Sequence, residues 1–175
     1  MPVIDQGVVS YWVNRAENAG NPTERGRAWQ HLACYSFRRI PGVSIFRRNV
    51  IDLPRAREFD VAFRNVSPRV GFGFLAFAVL VECKYLNRPV SARDVSWFAD
   101  KVRDRALTDG IIFSKLGLSG DPTRWTGSYD IVREARRHFG LHILSVSLAE
   151  LQACGQSADL IRLCLSKWLQ LTLAR

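Results

Sequence analysis

Phe74-Leu75-Ala76-Phe77-Ala78-Val79-Leu80-Val81-Glu82-Cys83-Lys84-Tyr85 is the stretch whose reading decides the fold. Up to Val81 it is apolar at odd and even positions alike, as in a central strand buried on both faces. It predicts a strand from about Phe74 to Tyr85. At Glu82 the pattern changes. Residues two apart on a strand share a face, so Glu82 and Lys84 project together while Cys83 points away. Two charges at the end of a buried strand are costly unless they are paired, solvated or metal-bound. A lone E-x-K is ordinarily a same-face ion pair, so its surroundings must decide what this one does.

Just upstream, Glu58 to Arg64 alternates, with Phe59, Val61 and Phe63 on one side and Asp60, Ala62 and Arg64 on the other. This predicts a strand, and if it pairs with the next one Asp60 comes beside Glu82. Val43 to Phe46 opens an earlier strand. Before it, Asn21-Pro22-Thr23-Glu24 combines a capping Asn, a first-position Pro and a Glu three residues after the cap, a strong helix start. Trp29, Leu32, Ala33 and Phe37 follow at helical spacing, and Pro41-Gly42 ends the helix. Val8 to Ala19 is a weaker helical candidate.

Downstream, Ser91 to Asp94 starts a helix whose apolar face is Val95, Phe98, Ala99, Val102 and Ala106. Ile111 to Ser114 is a short buried strand, Gly117 to Gly127 a loop, Ser128 to Phe139 a helix and Leu141 to Val146 a strand. Ser147-Leu148-Ala149-Glu150 matches a capping box, and a final helix covers about 158–173. The order α-β-β-β-α-β-α-β-α predicts an α/β domain on a mixed sheet flanked by helices. One domain spans residues 1–175, with its core at about 21–148.

Two carboxylates facing one point suit a hard, oxygen-seeking cation such as Mg²⁺. An adjacent lysine adds a charge that holds a phosphate or acidifies a water. Together these are the parts of metal-assisted phosphodiester hydrolysis.

The runs Arg57-Glu58-Phe59-Asp60-Val61 and Val81-Glu82-Cys83-Lys84-Tyr85 resemble the PD-(D/E)XK nucleases, closest to the Mrr-like restriction endonuclease branch. The family's αβββαβ core matches the order read here. Arg88-Pro89-Val90, Asp94-Val95, Phe98, Lys101 and Gly110 to Ser114 are also similar, so the likeness runs from about Glu24 to Leu148. The resemblance implies a restriction-endonuclease-like fold and a Mg²⁺-dependent DNA endonuclease, with Mn²⁺ able to substitute. Asp60 and Glu82 would hold the metal, with the Cys83 backbone carbonyl as a further ligand, and Lys84 would orient or activate the attacking water. Glu24, on the first core helix, falls where many relatives place a supporting acid, although it is also the third residue of its capping motif. The residues before Asp60 are Arg-Glu-Phe rather than the Pro or Gly-Gly of some relatives.

Charge points the same way. The formal net charge is +9 and the pI about 10.0, which favours an anionic partner such as DNA. Arg47, Arg48, Arg55 and Arg57 precede the site closely and are the candidate phosphate contacts; a solvated face is the plain alternative. His31, His138 and His142 form no metal-ligand pattern, and there is no Walker A loop. The four cysteines, Cys34, Cys83, Cys154 and Cys164, lie far apart and suggest neither a zinc site nor a disulfide framework. No signal peptide or membrane-spanning run is visible, so a cytoplasmic location is expected. The last helix is apolar around much of its circumference, which suggests a homodimer through it or cover from the N-terminal segment. Nothing resembles a separate target-reading domain, which leaves loops, dimerisation or a partner protein for that task. The alternatives to a restriction-type endonuclease are a junction-resolvase-like, structure-specific nuclease and a non-catalytic DNA-binding module of a larger assembly.

Overall fold

The computed structural model describes residues 1–52, 57–66 and 70–174, with backbone alone at 49–52, 57 and 58. Helices α1 (Gln6–Glu17) and α2 (Pro22–Arg38) precede strands β1 (Val43–Asp52), β2 (Arg57–Asn65) and β3 (Ala78–Lys84). Then follow α3 (Ala92–Arg103), β4 (Asp109–Ser114), α4 (Ser128–Phe139), β5 (His142–Ser147), α5 (Leu148–Gln152) and α6 (Ser157–Leu173). The caps fall where the sequence put them. Asn21 accepts from the Glu24 amide with Pro22 in the first turn, and Ser91 and Ser147 both close capping boxes.

One five-stranded mixed sheet runs in the order β1-β2-β3-β4-β5. The β1–β2 and β2–β3 pairs are antiparallel, whereas β3–β4 and β4–β5 are parallel. Helices cover both faces. Ala28, Trp29, Leu32 and Phe37 of α2, with Val9 and Val13 of α1, pack on Val61, Phe63, Val79, Val81, Ile111 and Phe113. Val95, Phe98 and Val102 of α3, with Val132 and Ala135 of α4, pack on Ala62, Leu80, Ile112 and Ile143.

Three features depart from the sequence expectation. β3 begins at Ala78 rather than Phe74. Asn65 donates from its side-chain amide to the carbonyls of Phe72, Leu75 and Ala76 at 2.8, 3.1 and 3.3 Å, and this folds Phe72 to Phe77 into turns. Phe72 and Leu75 are buried all the same, so their hydrophobicity serves a packed turn, not a strand.

Secondly, the alternation of β2 breaks. Val61 and Phe63 face α2, but Phe59 joins the cluster on the α3 side, with the Arg105 guanidinium 5.1 Å from its ring centroid. Thirdly, α6 is apolar widely around its axis because it serves both layers. Leu160 and Cys164 join the α2-side core, and Leu171 joins the other. The N-terminal segment covers its start, where the Ile4 amide donates to the Gly155 carbonyl at 3.0 Å. Leu169 and Leu173 stay exposed. Among the described residues no helix is long and apolar enough to cross a membrane.

Candidate active site

β2 and β3 pair from Arg64↔Ala78 to Val61↔Val81, where the ladder stops. The next step of that register would set Asp60 against Glu82. Instead Asp60 leaves the alternation of β2 and turns its carboxylate into the gap. Its Oδ2 accepts from the Cys83 amide at 2.7 Å, and its Oδ1 accepts from Gln30 Nε2 of α2 at 2.8 Å. The strands therefore open where the two acids meet, and an Asp side chain satisfies the β3 amide that a backbone carbonyl would otherwise take.

Glu82 lies on the α3 side of the sheet and is 5% exposed. Two cations hold it. Lys84 Nζ is 2.9 Å from Oε1, and Lys101 Nζ, from the last turn of α3, is 3.1 and 2.9 Å from the two oxygens. The acids thus take different partners, a neutral amide from α2 and two ammonium groups from β3 and α3, and meet at the Cys83 backbone.

Their electrostatics differ accordingly. Burial, and then the charge of Glu82, raise the Asp60 pKa against the lowering by the Cys83 and Gln30 hydrogen bonds. Burial pulls Lys84 down, but the charge and hydrogen bond of Glu82, with Asp60 and Asp94, outweigh it and the net shift is upward. Lys84 therefore stays an ammonium group at neutral pH.

The donor set can be tested for a hard cation. Among the described residues no group of three or more His, Cys, Asp and Glu side chains is gathered to hold a metal. What is gathered is a carboxylate, Asp60, with no cation in hydrogen-bonding contact among the described residues, and its ionisation is opposed by burial and then by a second carboxylate. A divalent cation between the two would relieve that repulsion, and the oxygen ligands are of the right chemical type. In this sense the residues fit Mg²⁺, with the Cys83 carbonyl as the remaining candidate ligand.

The other sequence candidates fall in different places. Glu24 is exposed and accepts from the Gly20 amide at 3.2 Å, so it closes the start of α2. It sits on the Ala28–Leu32 stripe, yet at the end of the helix. Gln30, about 9 Å farther along the axis, is the α2 residue that reaches Asp60. Arg47 pairs with Ala62 and Arg48 with Val61, so Arg47 shares the Glu82 side and Arg48 the α2 side. Both are exposed. Arg55 lies outside the described residues, as does the side chain of Arg57.

Sequence reasoning gave no role to Gln30 or Lys101. Each had a faint signal. Gln30 is a polar neighbour of the fully buried Trp29, and Lys101 stands three residues from Phe98, beside the buried stripe of α3. No protein-family model matches the chain, and no curated protein matches it significantly in sequence.

Proposed function

We propose that this protein is a Mg²⁺-dependent DNA endonuclease of the PD-(D/E)XK type, with a restriction-endonuclease-like fold. The observation that carries the reading is the opening of the β2–β3 ladder where Asp60 meets Glu82-Cys83-Lys84. The order α2-β1-β2-β3-α3-β4, the mixed sheet and the basic charge support it.

In this reading Asp60, Glu82 and the Cys83 carbonyl hold the cation. Bound there, Mg²⁺ supplies Lewis-acid polarisation of the scissile phosphate and an acidified water. The chain's own groups do the rest. Lys84 acts as a cation and hydrogen-bond donor, orienting the water and offsetting charge on the phosphate; its raised pKa argues against a general base. Lys101 holds both oxygens of Glu82 from α3 and fixes its rotamer. Gln30 fixes Asp60 in the same way. Arg47, on the Glu82 side, meets the phosphate backbone.

The test is nicking of supercoiled plasmid in Mg²⁺ and in EDTA. Cleavage in Mg²⁺ alone supports the reading. DNA binding without cleavage, in Mg²⁺ or Mn²⁺, favours a binding module instead.

A further inference from the structure

A cleft of about 730 Å³ lies between α1 and α2, outside the site described above. Three rings stand in series on its walls. Tyr11 meets Trp12 edge-on at 5.0 Å, and Trp12 stacks on His31 at 4.7 Å with 10° between the planes. Tyr11 and His31 are exposed and Trp12 is half-buried. Packing of α1 on α2 accounts for Val9, Val13, Ala16, Ala28 and Leu32, all buried. Trp12 also packs against this core, but Tyr11 and His31, the rings on either side of it, are left facing solvent.

The cleft is also basic. Arg15 and Arg27 line it, and both are exposed. Arg48 of β1 lies close enough for its charge to act on His31. The acid on the wall, Glu24, is engaged by the Gly20 amide. Burial, then the charge of Arg48, push the His31 pKa down, so the ring is neutral at physiological pH and stacks as an aromatic. His31 follows Gln30 in sequence and is therefore only 100° around α2 from the residue that holds Asp60.

We propose that this cleft binds an unpaired DNA strand leading to the Asp60–Glu82 centre, one base extending the Tyr11–Trp12–His31 stack and the phosphates meeting Arg15, Arg27 and Arg48. Rings and cations in one groove are what single strands need. A duplex does not fit the same role, because both faces of a paired base are already covered by its neighbours. The choice of DNA rests on the nuclease reading; the binding itself requires no metal.

The test is fluorescence anisotropy in EDTA with a labelled oligothymidine of about 12 nucleotides, within the usual length for single-strand sites, and a duplex of the same length. His31→Ala and Trp12→Ala should each weaken the single strand by about tenfold, the weight of one base–aromatic stack. Duplex affinity should change less than about twofold. Arg27→Glu should weaken the single strand and flatten its salt dependence. His31 and Arg27 are exposed, so these variants keep the fold even if Trp12→Ala does not; circular dichroism checks each. Unchanged oligothymidine affinity in His31→Ala and Arg27→Glu overturns the inference, and so does an equal fall for both probes. A parent protein that binds oligothymidine through the stack but cuts nothing in Mg²⁺ sinks the nuclease reading alone. Mg²⁺-dependent cleavage with variants that bind like the parent sinks the cleft alone.

Discussion

Neutralising the two acids of the site should move stability in opposite directions. Glu82→Gln leaves Lys84 and Lys101 beside a neutral amide that no longer balances them. The side chains are 7% exposed for Glu82, 29% for Lys84 and 17% for Lys101. Removing one partner of a buried pair costs roughly 3–5 kcal/mol. Both lysines retain some access to water, which screens the loss, so about 2–3 kcal/mol is expected. For a domain of this size that lowers Tm by about 4–12 °C. Asp60→Asn should behave otherwise. Burial and Glu82 raise the Asp60 pKa above the ordinary 3.8, so as pH rises from there the folded state keeps its proton longer than the unfolded one. Stability is therefore lost as pH rises through the folded pKa, and at neutral pH the full penalty is present. Asn removes it. The Cys83 amide can donate to the Asn oxygen, and Gln30, with its amide flipped, can accept from the new NH₂. Asp60→Asn should raise Tm at neutral pH in EDTA, and the gain should vanish towards pH 4. Thermal melts of the three proteins across pH decide it. A Glu82→Gln variant as stable as the parent, or an Asp60→Asn variant destabilised at neutral pH, would refute this electrostatic account.

Three further outcomes follow from the packing. A Cβ on Gly110 would stand 2.7 Å from the Phe98 ring and 3.0 Å from Val102, so Gly110→Ala should cost about 1–3 kcal/mol in a denaturant melt by pushing α3 off the sheet. All four cysteines are free, with Cys34, Cys154 and Cys164 buried. Burial raises each of the four thiol pKa values, that of Cys164 to about 12, so a thiol reagent should react slowly with the native protein and with four groups after denaturation. If exposed Leu169 and Leu173 on α6 form a two-fold interface, light scattering at micromolar concentration gives a dimer that Leu169→Glu converts to monomer; a monomeric parent rules that interface out.

Much of the architecture was legible because local chemistry fixed it. Asn21 with Pro22, Ser91, Ser147 and Gly140 mark helix ends through hydrogen bonds made within a few residues. Asp60 and Glu82-x-Lys84 were legible as charges misplaced in apolar strands. What escaped was non-local. The three carbonyls that Asn65 gathers belong to residues 7–11 positions away, and that contact, with the Asp109 carboxylate on the Ala76 amide, holds Phe72 to Phe77 as turns rather than strand. Glu24 shares the stripe of Ala28 and Leu32, but helical spacing does not say where along the axis the site lies; Gln30 holds that place. Lys101 meets Glu82 from 19 residues away, and no periodicity encodes the pairing. The alternation expected of β2 fails at Phe59 and Asp60, next to the point where the ladder ends.

The most direct test of the central claim compares the parent protein with Lys84→Ala and Asp60→Ala, purified in parallel, on supercoiled plasmid in Mg²⁺. The parallel variants separate the chain's own activity from a contaminating nuclease. The account predicts cleavage by the parent alone, abolished by EDTA, while both variants still bind DNA, since affinity comes mainly from phosphate contacts. Cleavage by Lys84→Ala at the parental rate, or none by the parent in either Mg²⁺ or Mn²⁺, would contradict it.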